Sequence, residues 1–265
     1  HPGHRVAVET PTTGSVSATN IYVKLTSTSV AGSFSGDISL SSTNASTKTL
    51  SVVGVVSASS VGGSISGSAS VCSGTNSTAL TLIGYTGSIT KWQSATNSGF
   101  TTGLTDIANT ATTYTASNLT ATTYYRAVIT SGTCISANSG TATVTVNALP
   151  TPTFTVQPGA TACASTDVTY TTQSSQSNYI WTIPGTLNTD YSITSGGVGT
   201  TSSTVTLKWL TAGSKTVTIN YINSNSCTAV SATSSTATTI IALDNLGLSG
   251  NTAVAAGYSL RKLST

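Results

Sequence analysis

Charge is what this sequence has least of. Nine basic and six acidic residues are spread over 265 positions, 6% of the chain against roughly 25% in an ordinary soluble domain. With few Lys and Arg and no basic run, it lacks the clustered cations that neutralise nucleic-acid phosphates. It has no Met, two His and a single Glu. The usual ingredients of acid–base and metal chemistry are therefore nearly missing. The Ala-, Glu-, Lys- and Leu-rich composition of helical bundles is missing too. No apolar run is long enough for a membrane-crossing helix. The opening HPGHRVAV shows neither an initiator Met nor a signal-peptide pattern, which reads as a processed chain or a fragment.

What fills the space is hydroxyl. Ser and Thr together exceed a third of the chain. Apolar, mostly β-branched residues alternate with them in NIYVKLTS (20–27), TKTLSVVGVV (47–56), TYYRAVIT (123–130), TATVTVNA (141–148), STVTLKWL (203–210) and SKTVTINYI (214–222). Period-two alternation predicts half-buried strands. Gly-, Asn- and Ser-rich clusters between them predict turns. No amphipathic helix is expected. The fold class expected is all-β: tandem antiparallel β-sandwiches strung like beads, whose aromatic motifs, described below, resemble those of immunoglobulin-like, fibronectin III-like and PKD-like sandwiches.

Texture divides the chain into four segments. Residues 1–57 read as a partial sandwich, either truncated or completed by a strand from another molecule. Residues 63–148 read as an Ig-like sandwich. LPTPT (149–153) opens the next segment as a stiff connector, and the sandwich of 149–242 follows. Residues 243–265 read as a tail or the start of a further module.

Cys72 and Cys134 fall in the second segment and Cys163 and Cys227 in the third, separated by similar intervals. Similar offsets in successive modules suggest one disulfide per module, Cys72 with Cys134 and Cys163 with Cys227, each closing a loop for about 4 kcal/mol on the chain-entropy model. Free buried thiols are the alternative. A zinc site would want closely spaced pairs, and these are far apart. Disulfides imply export to an oxidising compartment.

Trp92 follows Cys72 by about twenty residues, the position of the core Trp of an immunoglobulin-like sandwich. In NLTATTYYRAVIT (118–130), Leu119 and Thr123 precede Tyr125 in the manner of a tyrosine corner. Tyr125, Ala127 and Ile129 are then expected inside, and Tyr124, Arg126 and Val128 outside. In the third segment Tyr179 and Trp181 share a strand face and Trp209 ends a later strand. These five aromatics are read as structural core. Stacking on a glycan is the functional alternative for Trp92 and the Tyr pair.

These motifs resemble those of large secreted surface adhesins of the Bacteroidetes. TNIYVKL (19–25), GSFSGDISL (32–40) and KTLSVVG (48–54) are similar to one of their repeats. SGSASVCSGTNSTALTL (66–82) is similar to their Ig-like modules. The Tyr179, Trp181 and Trp209 strands are similar to their PKD-like domains. AAGYSLRKLST (255–265) is similar to the opening of a lectin-like sugar-binding module. The resemblance implies a stalk or spacer at the cell surface, exported by type IX secretion.

Searching for chemistry finds little. His1 and His4 are the only histidines. Glu9, Asp37, Asp106, Asp167, Asp190 and Asp244 are scattered singly, so neither a glycosidase pair nor a calcium cluster is suggested. Asn44, Asn76 and Asn118 begin glycosylation sequons. The expectation is a non-enzymatic, extracellular structural or adhesive protein without cofactor. Its partners would be neighbouring modules, surface glycans or further copies of itself, with no nucleic acid and no membrane insertion. Accessory modules of a carbohydrate-active enzyme and a strand-exchanged filament subunit are the alternatives.

Overall fold

The computed structural model describes residues 30–41, 46–197 and 199–242. The regular elements among them are all β-strands, as the alternating pattern predicts. The chain divides into two compact units at the Asn147–Ala148 bond.

The first unit opens with a hairpin. β1 (Gly32–Leu40) and β2 (Lys48–Val56) pair antiparallel, Phe34 opposite Gly54 and Ile38 opposite Leu50. Partners across an antiparallel pair share a face. Phe34, Ile38, Leu40, Leu50 and Val52 therefore lie on one side with Lys48, and Ser33, Ser35, Asp37, Ser51, Val53 and Val55 on the other. Phe34, Leu40 and Leu50 remain exposed. A two-stranded ribbon with an open apolar face is marginal by itself. The strand pattern at 20–27 lies outside the described residues.

A sandwich follows. Its strands are β3 (Ser64–Ser66), β4 (Ala69–Cys72), β5 (Ser77–Ile83), β6 (Ser88–Ala95), β7 (Thr105–Ile107), β8 (Thr113–Ser117), β9 (Thr123–Thr130), β10 (Ala137–Asn138) and β11 (Ala142–Asn147). One sheet runs β3-β5-β8, the other β4-β11-β9-β6-β7 with β10 on β9. The first strand changes sheet at Gly67, whose φ is +102°. A Cβ there would come within 2.2 Å of the Ala79 carbonyl oxygen, so only glycine fits. β4 then runs parallel to β11. Leu80, Trp92, Ala127, Ile129, Ala142 and Val144 close the core between the sheets.

The second unit repeats the plan. Its strands are β12 (Phe154–Val156), β13 (Thr161–Cys163), β14 (Asp167–Thr172), β15 (Ser177–Thr182), β16 (Tyr191–Gly196), β17 (Thr204–Trp209), β18 (Gly213–Lys215), β19 (Thr218–Ile222), β20 (Thr233–Ser234) and β21 (Thr238–Ile241). They form the sheets β12-β14-β17-β16, β13-β21-β18 and β15-β19-β20. β13 lies parallel to β21, as β4 does to β11. Tyr170, Leu207, Trp209, Val217, Ile219 and Ile240 fill the core.

Both units share a serine device, with the serine directly after β10 in the first and directly after β20 in the second. The Ala127 amide donates to Ser139 Oγ (2.9 Å), and the Ser139 amide donates to the Ala127 carbonyl (2.9 Å). In the second unit the Val217 amide donates to Ser235 Oγ (3.0 Å), and the Ser235 amide returns to the Val217 carbonyl (2.8 Å). Each serine hydroxyl also donates to the carbonyl of the next residue. A buried hydroxyl thus satisfies a buried amide that an interrupted ladder would strand.

The cysteine pairing expected from the sequence does not form. Cys72 and Cys227 are disulfide-bonded, whereas Cys134 and Cys163 are free thiols. Strand geometry gives the reason. Cys72 sits opposite Asn147, the last residue of β11. Cys134 sits in the connection after β9, whose amide turns back to the Ser131 carbonyl. Between those two levels runs β9 from Thr123 to Thr130, more than about 20 Å at ~3.3 Å per residue. A disulfide tolerates a Cα separation of at most about 7 Å. Cys163, opposite Ile241 at the end of β21, is separated from Cys227 in the same way by the run from Gly213 to Ile222. Similar intervals in sequence do not bring these cysteines together, because each pair is divided by the length of a strand.

Candidate functional site

The five aromatics singled out from the sequence are all buried: Trp92 and Trp209 fully, Tyr125, Tyr179 and Trp181 nearly so. Trp92 donates from Nε1 to the Ala111 carbonyl (3.0 Å) and Trp181 from Nε1 to that of Ser202 (2.8 Å). Tyr179 donates its hydroxyl to the Gln173 carbonyl (2.8 Å) and accepts from the Gln176 amide (3.0 Å). The polar handles of Trp92, Tyr179 and Trp181 are thus spent on backbone. Tyr114 lies 5.9 Å from Trp92 and 5.5 Å from Tyr125, while Tyr191 meets Trp209 edge-on at 5.9 Å. None presents a free ring face for a sugar to stack on.

The richest polar arrangement lies on the outer face of the larger sheet of the first unit. Register places Asp106 opposite Gln93 and Gln93 opposite Arg126, so one row crosses β7, β6 and β9. Arg126 Nε donates to Gln93 Oε1 (2.7 Å). Gln93 Nε2 donates to Asp106 Oδ1 (2.7 Å). Lys91 pairs with Asp106 Oδ2 at 2.6 Å. The β6–β7 loop folds over this row. Asn97 Oδ1 accepts from the Thr101 and Thr102 amides, and Phe100, at φ +54°, sits 4.2 Å beneath the Arg126 guanidinium. Arg126 and Val128 were both expected outside. Arg126 is half-buried, and Val128 is buried. The sequence held no signal for this row, because its members are distant in the chain and only strand register aligns them.

The row is a tie rather than a reacting centre. Donors and acceptors alternate along it, and no nucleophile stands beside a base. The other described carboxylates are each engaged alone. Asp37 accepts from Ser51 and Asp167 from Thr194 (2.7 Å). Asp190 accepts from the Thr186 amide (2.8 Å) and from Thr211 (3.3 Å). Among the described residues no three His, Cys, Asp or Glu are grouped to hold a metal, and no helix is long and apolar enough to cross a membrane. His1, His4, Glu9 and Asp244 lie outside the described residues, as do Asn44 and the tail at 243–265. Of the other sequons, Asn76 spends its side-chain amide inside the fold, donating to the Cys72 and Leu119 carbonyls (2.7 and 2.8 Å).

Titration follows from burial. Burial, and secondly the neighbouring Tyr114, pushes the Tyr125 hydroxyl up to about 12. Burial also raises Tyr170 and Tyr221. A phenol in the unfolded chain ionises near 10. Stability is therefore unaffected by these groups below about pH 10 and falls as pH rises from about 10 toward 12, where the unfolded state sheds protons first. Hydrogen bonds from Lys91, then Gln93, hold Asp106 below the usual carboxylate range. Its contribution is present above about pH 4 and is lost as pH falls through the lowered value. The melting temperature is expected to be flat from about pH 5 to 9 and to fall steeply above about pH 10. Tyr125→Phe should soften that alkaline fall. A slope centred near neutral pH would contradict this account.

Residues 61–148 match the model of a family described as a domain of unknown function, DUF8696. No curated protein sequence matches the chain. Among solved structures, the fold is similar to fibronectin(III)-like modules of Clostridium thermocellum CbhA, at 11% identity over 67% of this chain and 93% of that one, with a TM-score of 0.28. It is similar to an I-band fragment of titin at 13% identity, over 66% of this chain and 62% of that one, TM-score 0.35. The insect immune protein hemolin is similar at 12% identity, over 78% of this chain and 56% of that one, TM-score 0.31.

Proposed function

We propose that this chain is a non-catalytic stalk or spacer section of a secreted, multi-module bacterial surface protein, of the Bacteroidetes adhesin type that its motifs resemble. The observation that supports this most is that two of its cysteines, Cys72 and Cys227, are oxidised. Disulfides belong to an oxidising, extracellular setting. A nearly uncharged, hydroxyl-covered surface suits the same role, because little of its stability depends on salt or pH. Its partners are the modules that flank it in a longer protein.

The test uses the chain itself. On a glycan array it is expected to bind nothing, and single-molecule pulling of the reduced chain should show two separate unfolding events, one per unit. Specific binding of a glycan would instead favour accessory modules of a carbohydrate-active enzyme. A single unfolding event would refute independent spacer units.

A further inference from the structure

The β1–β2 hairpin is an unfinished sheet. Among the described residues β1 pairs with β2 alone. One edge of β1 therefore carries unpaired amides and carbonyls, and a two-stranded ribbon is marginal in water. Its apolar side is open as well: Leu40 is 47% exposed and Leu50 60%. That side has a gap above Gly36, where an added Cβ would meet nothing within 4 Å. The opposite side carries one charge, Asp37. Asp37 Oδ1 accepts from Ser51, and among the described residues no cation pairs with this carboxylate. An occupant of the free edge needs a strand's length, alternate apolar side chains and a cation on the other face. Residues 20–27, NIYVKLTS, have all three. Ile21, Val23 and Leu25 alternate there with Tyr22 and Lys24, and the segment lies just ahead of β1 in the chain.

We propose that residues 20–27 dock antiparallel on the free edge of β1 of their own chain, with Lys24 opposite Asp37. In that register Leu25 meets Gly36 and covers its gap, Val23 meets Ile38, and Ile21 meets Leu40. The apolar rows then run on across β1 to Val52 and Leu50 of β2. A slip by one residue would turn all three apolar side chains to the Asp37 side. Thr28 falls opposite Ser33, which leaves residues 29–32 as the connection, a length that hairpins use. Three strands with one apolar face reach the size at which a sheet holds together. An edge filled in this way is closed to a strand from another molecule, so the chain completes this sheet itself and does not exchange strands between copies. The proposal does not rest on the spacer reading, and a positive glycan array would leave it standing.

The experiment is amide hydrogen exchange on the intact chain, with the free peptide 19–27 as the unpaired reference. Amides of 20–27 in the chain should exchange at least about tenfold more slowly than in the peptide, at a rate independent of protein concentration. Successive amides on a strand point to opposite edges, so one of Val23→Pro and Lys24→Pro removes a bond to β1. That variant should return 20–27 to the peptide's rate and speed exchange in β1. β5, β6 and β9 should keep their protection, which shows that the sandwich still folds. Lys24→Asp sets two carboxylates face to face and should speed exchange in 20–27 by about two- to fivefold. Adding Asp37→Lys should restore it. Four results would overturn the proposal. One is exchange of 20–27 at the peptide's rate in the unaltered chain. Another is a β1 that neither proline variant disturbs. The third is protection that appears only as the chain dimerises at rising concentration, which would give the edge to a second copy. The last is a charge-swapped double variant that fails to recover.

Discussion

Trp209→Ala is expected to destabilise the second unit by about 3–5 kcal/mol, the usual cost of removing a buried Trp and leaving its cavity. Trp209 is fully buried at the end of β17. It meets Tyr191 edge-on and has the Lys215 ammonium 5.3 Å above its ring. Chemical denaturation should then show an early transition for the second unit and an unmoved one for the first, because the two cores share no residue. Trp209→Phe should cost much less. The indole Nε1 faces the buried Tyr170 hydroxyl without a well-formed hydrogen bond, so phenylalanine retains most of the ring packing and gives up little polar interaction. A common shift of both transitions would mean that the two units do not unfold separately.

Asn76→Ala is the second large effect, at about 2–3 kcal/mol for three side-chain hydrogen bonds worth roughly 1 kcal/mol each. Asn76 Nδ2 donates to the Cys72 and Leu119 carbonyls, and its Oδ1 accepts from the Leu119 amide (2.9 Å). The Asn118 amide adds a backbone bond to the Asn76 carbonyl (3.0 Å). One side chain thus fastens the end of β4 to the loop ahead of β9. The loss should appear as a lower denaturation midpoint for the first unit with an unchanged slope. A change under about 0.5 kcal/mol, the range of an ordinary surface substitution, would show that the clamp is incidental. The same geometry opposes glycosylation at this sequon, since both amide hydrogens are already committed.

Asn76 also shows how far the sequence can be read. As a string, N-S-T offered a modification signal. In the fold the residue is a clamp, because Leu119 lies 43 positions away and nothing local announces their meeting. The Ser139 and Ser235 devices were equally silent among so many serines. Burial of alternate residues was legible: Tyr125, Ala127 and Ile129 point inward, since side chains on a strand alternate faces whatever the partner strand is.

Composition and period alone determined that this chain is all-β, divided into modules, poor in ionisable chemistry and cored by a few aromatics. Those properties follow from local conformational preference and from the alternation of apolar with hydroxyl residues. Tertiary structure alone decided which cysteines can bond, which polar residues line up across β7, β6 and β9, and which serine or asparagine carries a buried bond. Each of these depends on strand register and on which end of a sandwich a loop occupies. A strand carries its ends more than about 20 Å apart in seven residues, so separation along the chain says nothing about which ends meet.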